Sequence, residues 1–133
     1  MSVLDPLVDR VLGPRVPPAE VPYPLPPGVT VRRNRLIPAV GGLFMRREGR
    51  PHRPAAAVTL GKTILVDAGA PLTDDLIVHE LVHVEQWKSP LFPLKYLWES
   101  VRHGYWNNRY EVDAYARQKR YAEERPSAPQ RTE

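Results

Sequence analysis

The chain has no cysteine among its 133 residues. Disulfides, thiolate metal sites and cysteine nucleophiles are therefore excluded, and any bound metal must be held by nitrogen and oxygen ligands. Long hydrophobic runs are also missing, since no stretch approaches the roughly 18 apolar residues of a membrane span. The N-terminus carries acids in place of an apolar signal region. We therefore expect a cytoplasmic protein that has no membrane partner.

Charge of one sign is not concentrated enough to indicate a nucleic-acid partner. The formal net charge is +4, but acids and bases are interspersed along the chain. The clearest bias is an arginine-rich stretch from Arg32 to Arg53, for which a solvated sheet face is a plainer interpretation than an acidic partner. We therefore expect no nucleic-acid binding. The opposite result would be affinity for DNA or RNA at low salt that falls steeply as the salt concentration rises.

The length and the 42% hydrophobic content fit one ordinary domain with a modest core. We divide the chain into three parts. Residues 1–28 form a short helix and a proline-rich arm, residues 29–122 form the body, and residues 123–133 form a polar, flexible tail.

Proline is abundant, at 16 residues, and it defines the arm "PRVPPAEVPYPLPPG". Each proline removes a backbone donor and restricts the residue before it, so this stretch cannot form a helix or a central strand. A short helix precedes it, from about Pro6 to Leu12. We predict an extended arm that packs Val21, Tyr23 and Leu25 on the body, with a disordered linker as the alternative.

Strand-like segments follow the arm. They are "VTVRRNRLI", "GGLFMRR", "AAAVTL" and "TILVD", which are short, rich in β-branched residues and separated by glycines. The last two segments predict a hairpin with Gly61-Lys62 as a two-residue turn. The sequence therefore predicts a small antiparallel sheet.

Three helices are predicted after the sheet. The first begins at Thr73, an N-cap followed by two aspartates, and ends near Trp87. The second, from about Pro93 to Arg102, carries apolar residues on one face at helical spacing. The third begins near Asn108 and continues towards Tyr121. The three tryptophans, which are Trp87, Trp98 and Trp106, are predicted to be core or interface anchors.

Three polar residues interrupt the aliphatic first helix in "DDLIVHELVHVEQW". Unpaired charges in such a setting cost several kcal/mol, so His79, Glu80 and His83 need compensation. The two histidines are four positions apart and lie on one face, where both imidazoles can point at a single ion. This H-E-x-x-H arrangement predicts a divalent metal beside a glutamate, whereas core histidines satisfied by hydrogen bonds are the alternative.

A third ligand must come from elsewhere in the chain. Glu111 is the candidate, in "GYWNNRYEVDAYA", where Asn107 and Asn108 can cap the last helix. Asp113 is the competing choice, but it faces about 200° away from Glu111 on the same helix.

The combination of H-E-x-x-H on one helix and a glutamate on a following helix resembles the gluzincins, the clan of zinc metallopeptidases that includes thermolysin. More closely, "HELVHVEQW" followed by an aromatic-rich helix and "GYWNNRYEVDAY" resembles small single-domain gluzincin-like proteins of bacteria, which are described as metallopeptidases. The similarity covers roughly residues 55–117. It implies a minimal zincin-like α+β fold.

The resemblance implies roles for individual residues. His79, His83 and Glu111 would bind one Zn²⁺ per chain, and Glu80 would be the general base in the hydrolysis of a peptide or protein substrate. An edge strand before the metal helix lines the substrate cleft in this clan, and "TILVD" at residues 63–67 occupies that place. The proline-rich arm would inhibit the protein if it lay in the cleft.

Further donors are needed around such a metal. A tetrahedral oxyanion requires a hydrogen-bond donor, and Tyr105 and Tyr115 are the first choices. Tyr110 and His103 are further candidates, although each of these residues could serve packing alone.

The relatives also carry an aspartate that orients a histidine ligand. Tyr115 stands at that position here, so Asp75 and Asp113 are the substitutes. A non-catalytic zinc module that binds a partner remains the alternative function, because the chain is small for a peptidase.

Overall fold

The computed structural model describes residues 5–35 and 57–125, which form an α+β arrangement of one small sheet and four α-helices. In chain order the elements are α1 (Asp5–Leu12), a 3-10 turn (Pro18–Glu20), β1 (Thr30–Asn34), β2 (Ala57–Leu60), β3 (Thr63–Asp67), α2 (Asp74–Gln86), α3 (Phe92–His103) and α4 (Arg109–Glu124). The α+β class predicted from the sequence is confirmed. The predicted strand "GGLFMRR" lies outside the described residues. No helix within the described ranges has both the length and the apolarity to cross a membrane.

The sheet is mixed, and the prediction of an antiparallel sheet is wrong. The strand order is β1-β3-β2, with β1 parallel to β3 and β2 antiparallel to it. The segment "TILVD" is therefore the central strand and not the edge strand that the resemblance implied at this place in the sequence. The physical reason is visible in its composition, because Ile64, Leu65 and Val66 are all buried, as in strands covered on both faces.

The predicted hairpin between β2 and β3 is confirmed. Leu60 pairs with Thr63 across Gly61 and Lys62. Gly61 has a φ of +62°, which residues other than glycine rarely adopt in a two-residue turn. The hairpin places β2 between the central strand and the start of the helical half.

The arm packs on the body as the sequence predicted. Val21 is buried, and Tyr23 and Leu25 are partly buried against the core. The arm also extends along β1, where Val16 N donates to Val31 O over 2.8 Å. These contacts lie at the sheet and on the outer side of α2, next to Leu81. The described arm is thus part of the hydrophobic core.

The two arginines of β1 do not form a solvated face. Arg32 is 3% exposed, and its guanidinium donates to the Asp9 carboxylate and to the Gly13 carbonyl. Arg33 donates to the Ala70 carbonyl over 2.6 Å. Their stems and charges therefore fasten α1 and the segment after β3 to the sheet.

The apolar face of helix α3 points to solvent, whereas an apolar face at helical spacing usually packs on the core. Its apolar residues at helical spacing, which include Trp98, point to solvent and not to the core. The inward face carries the buried Phe92 together with Tyr96 and Ser100, and the latter two receive hydrogen bonds from Asn108. Of the two predicted roles, core or interface anchor, the core role does not hold for Trp98, which is 61% exposed. Trp87 packs against Phe92, and Trp106 packs against Tyr115.

Asn108 joins α3 to α4 and supports a stability prediction. Its side chain accepts from Tyr110 N as the helix cap and donates to Tyr96 O and Ser100 Oγ, all in a fully buried position. We expect Asn108→Ala to lower the free energy of unfolding by about 2–4 kcal/mol, since a cap and two buried bonds are lost. Urea denaturation in the presence of a chelator measures this change.

Asn107 provides the matched control because it is the neighbouring asparagine and is exposed. Asn107→Ala should change the free energy of unfolding by no more than about 0.5 kcal/mol. Equal losses in the two variants would contradict the assigned role of Asn108.

Candidate metal centre

Helix α2 carries the two histidines on its buried side. Thr73 caps the helix by accepting from Leu76 N, and two aspartates fill the first turn at the positive end of the helix dipole. His79 and His83 are 4% and 6% exposed. Their Nε2 atoms are 3.3 Å apart. One helical turn therefore brings both rings to a single point, as the spacing predicted.

Helix α4 crosses α2 and supplies the third member of the cluster. Glu111, in its first turn, places Oε2 3.2 Å from His79 Nε2 and Oε1 3.1 Å from His83 Nε2. Glu111 is 4% exposed, whereas Asp113 is on the exposed side of the same helix. The three side chains form a group that could hold a metal ion, with ligand atoms within 4.8 Å of one another.

Two glutamines fix the orientation of the imidazole rings. His83 Nδ1 lies 2.7 Å from Gln86 Oε1, and His79 Nδ1 lies 3.0 Å from Gln118 Oε1. The amide nitrogens are engaged elsewhere, since Gln86 donates to Tyr110 O and Gln118 donates to Asp75 Oδ2. Each glutamine thus presents an oxygen, which can only accept, to an imidazole. Both rings must carry their hydrogen on Nδ1.

That tautomer leaves an electrostatic conflict at the centre of the cluster. In neutral rings both Nε2 atoms would present lone pairs towards each other and towards the Glu111 carboxylate. Buried acceptors this close repel one another unless a cation lies among them. In the metal-free protein, a proton on His83 supplies this positive charge. Burial alone would lower the pKa of His83, but the bond to Glu111 and the charges of Glu80 and Glu111 raise it to about 9.

Glu111 responds to the same contacts. Burial by itself would raise the pKa of its carboxyl, but the close contacts with the His79 and His83 imidazoles hold that pKa well below its usual range. The carboxylate is consequently charged at neutral pH and available as a ligand. A metal ion entering the cluster would displace the proton of His83.

The spacing of the ligand atoms fits a small divalent ion. Zinc binds imidazole nitrogen and carboxylate oxygen at about 2.0–2.2 Å, which places neighbouring ligands of a tetrahedron about 3.3–3.6 Å apart. The two imidazole nitrogens are 3.3 Å apart, and each lies 3.1–3.2 Å from a different oxygen of Glu111. The imidazole pair thus has the spacing of two zinc ligands, and the carboxylate lies within reach of the same ion.

Glu80 is held beside the cluster by the sheet. Its Oε2 accepts a hydrogen bond from Thr59 Oγ1 over 2.6 Å, and both residues are buried. Thr59 also accepts from Trp87 Nε1 through its carbonyl oxygen. Strand β2 therefore fixes the carboxylate of Glu80 on the sheet side of α2.

Three tyrosines surround the ligands on the helical side. Tyr96 donates to Glu111 Oε1 over 2.8 Å. The hydroxyls of Tyr105 and Tyr115 are 3.1 Å apart, and the ring of Tyr115 lies 4.4 Å from that of His79. Burial and the nearby charge of Glu111 raise the pKa of Tyr96 and of Tyr105. These hydroxyls remain protonated and able to donate.

The remaining candidates lie in other surroundings. Tyr110 uses its hydroxyl to accept from Arg109 and packs its ring on Phe92. His103 is exposed and faces Glu99 across 4.0 Å. Asp75 reaches His79 only through Gln118. Of the predicted oxyanion donors, the structure therefore places Tyr105 and Tyr115 near the cluster.

Gln86, Gln118, Thr59 and Tyr96 were not identified from the sequence. A signal existed for the two glutamines, because Gln86 follows His83 by three positions and Gln118 follows Glu111 by seven, so each shares a helix face with a ligand. Thr59 and Tyr96 come from other elements, and no local pattern pointed to them.

Gln118 provides a test of ring orientation. We expect Gln118→Leu to weaken zinc binding roughly 10- to 100-fold, because His79 loses the acceptor that fixes its tautomer. Competition with a chromophoric chelator measures the affinity. Lys119→Leu introduces the same side chain at an exposed neighbouring position and should bind zinc as the wild type does. An unchanged affinity in Gln118→Leu would show that this bond does not orient the ring.

Comparisons of the chain with protein-family models, with curated proteins and with solved structures found no match. The resemblance to the gluzincins therefore stays a prediction that rests on the motif residues themselves.

Proposed function

We propose that this chain is a zinc-dependent metallopeptidase-like hydrolase of gluzincin type. The observation that supports the proposal best is the convergence of three acceptors, His79 Nε2, His83 Nε2 and the Glu111 carboxylate, in a tautomeric state that requires a cation. Core histidines satisfied by hydrogen bonds would need a donor between the rings. The glutamine contacts place the hydrogens of neutral rings on the opposite side, so a proton or a metal ion must supply the positive charge between them.

Zinc is the ion that this ligand set favours. Two imidazoles and one carboxylate are a common zinc set, and catalytic zinc sites keep three protein ligands whereas structural sites usually have four. Among the described residues, the group of possible ligands has three members. The set therefore supports a centre that leaves one position for water or substrate.

The residues around the cluster have suitable roles in amide hydrolysis. A zinc ion in this site would supply Lewis acidity to the scissile carbonyl and to the attacking water. Glu80 would take the proton of that water and deliver it to the leaving amine. Thr59 positions Glu80 by donating to one carboxylate oxygen, so that the other oxygen is available for the proton. Tyr105 and Tyr115 would donate hydrogen bonds to the oxyanion.

A second function, a non-catalytic zinc module, is favoured by one observation. The two histidines, Glu80 and Glu111 are each 6% exposed or less. Such burial is usual for a metal that stabilises a fold. A substrate would have to reach ligands that are almost fully covered, and Tyr115, whose ring packs on that of His79, is 37% exposed.

Activity against peptides tests the proposal directly. We expect zinc-loaded protein to cleave members of a quenched-fluorescence peptide library. Removal of the metal by a chelator should abolish cleavage, and added zinc should restore it. Protein that holds one zinc per chain and cleaves no member of the library would support the non-catalytic module. Protein that binds no zinc would contradict both functions.

A further inference from the structure

Helix α3 presents an apolar face to solvent. This outer face consists of Leu94, Leu97, Trp98 and Val101, which are between 51% and 76% exposed. The opposite face contacts the domain through the buried Phe92 and through polar groups, since Tyr96 donates to Glu111 and Ser100 accepts from Asn108. Most of the apolar side chains of the helix therefore lie on its solvent side, unlike those of an ordinary surface helix. A contiguous exposed apolar face of this kind is typical of an interaction surface.

Leu91, just before the helix, extends the outer face and carries a second unfavourable feature. Its φ is 59° and its ψ is 25°, which lie in the left-handed region of the backbone. Residues other than glycine and asparagine rarely adopt this region. Its side chain is 68% exposed. Glycine or asparagine would suit this backbone better in water, so a strained, exposed leucine indicates that the side chain itself is used.

The rim of the outer face is cationic. Lys95 and Arg102 lie on the same side of α3 as Trp98, and the guanidinium of Arg102 is 6.0 Å from the centroid of its ring. Residues 86–98 contain no aspartate or glutamate. The next acid, Glu99, has a side chain only 17% exposed. A partner therefore meets apolar side chains bordered by positive charge.

We propose that the outer face of α3, together with Leu91, docks on the surface of an anionic lipid bilayer, with the helix lying in the plane of the interface. Leucine, valine and tryptophan would enter the boundary between headgroups and acyl chains, and Lys95 and Arg102 would reach the phosphates. A second copy of the chain would bring the same cationic rim against itself, which like-charge repulsion disfavours.

Interfacial docking differs from what the sequence led us to expect. The absence of a long apolar run argues only against a transmembrane helix. A helix that lies in the plane of the membrane interface does not need such a run. The inference does not depend on the proposed hydrolysis, since its residues lie on the opposite side of α3 from the metal cluster.

Co-sedimentation with vesicles tests the proposal. The full chain should bind vesicles of equal parts phosphatidylcholine and phosphatidylglycerol at low salt, and should bind pure phosphatidylcholine vesicles at least roughly tenfold more weakly. The double variant Leu94→Ser/Trp98→Ser should lose at least about tenfold in affinity for the anionic vesicles. Leu7→Ser/Val11→Ser is the matched control on α1, where both residues are also exposed, and should bind as the wild type does.

Quenching by lipids with brominated acyl chains gives a readout that does not depend on the folding of the double variant. Wild-type fluorescence should be quenched on anionic vesicles, and Trp98→Phe, which keeps the apolar face, should lose most of that quenching. Failure of the wild type to bind either vesicle would overturn the proposal. Equal binding by the double variant, or equal binding to both vesicle types, would do the same. Dimerisation abolished by Leu94→Ser/Trp98→Ser, without vesicle binding, would assign the face to self-association instead.

Discussion

Glu111→Gln is expected to abolish stoichiometric zinc binding. The substitution keeps the size of the side chain and an oxygen that can accept from Tyr96, but it removes the negative charge that lies 3.1–3.2 Å from both imidazoles. Loss of an outer partner of a ligand typically costs roughly 10- to 100-fold in metal affinity, and loss of a charged ligand should cost more. We expect a decrease on the order of a thousandfold or greater.

Elemental mass spectrometry of purified protein and competition with a chelator measure the content and the affinity. Asp113→Asn is the matched control, since it removes one carboxylate charge two positions away on the exposed side of α4. That variant should retain one zinc per chain. Zinc retained by Glu111→Gln and lost by Asp113→Asn would mean that the metal binds elsewhere than in the cluster.

Glu80→Gln is expected to remove hydrolysis while leaving the metal in place. The amide oxygen can still accept from Thr59 Oγ1, so the side chain should keep its position on the sheet side of α2. It cannot accept the proton of the attacking water. General-base catalysis typically contributes about 10²- to 10⁴-fold, and we expect a loss of kcat/KM in that range.

The readout is cleavage of a library peptide at matched zinc content. Glu85→Gln makes the same substitution on the exposed side of α2, where the Glu85 carboxylate pairs with Lys88, and should retain full activity. Equal activity in wild type and Glu80→Gln would rule out Glu80 as the base. If Glu80→Gln also lost its zinc, the carboxylate would be needed for the site and not for a chemical step.

Local patterns predicted much of the helical half. The cap at Thr73, the four-residue spacing of the histidines and the caps before Glu111 depend on residues close in the chain, so helix starts and the face of each ligand followed from the sequence. Convergence of Glu111 on the histidines required two helices to cross. The motif and its resemblance supplied that expectation, and spacing alone did not.

The sheet and the surroundings of the site were less predictable. The parallel pairing of β1 with β3 joins residues more than 30 positions apart, and no turn signal marks such a pairing, unlike the glycine turn of the hairpin. The solvent-facing direction of the apolar side of α3 did not follow from the sequence, because a helical repeat shows only which residues share a side. It does not show whether that side meets the core. Here the side of α3 that carries Tyr96 faces inward, where Tyr96 donates to Glu111.

The contact between His79 and Glu111 also bears on how this chain resists unfolding. These residues are 32 positions apart, and the segment between them contains all of α3. A bond at this point closes a long loop, which is what a disulfide does in chains that have cysteine. An ion shared by the two residues would thus be a reversible cross-link, formed and broken with the supply of metal. Resistance to heat should then rise with the concentration of free zinc, in proportion to the logarithm of its ratio to the dissociation constant once that ratio is large.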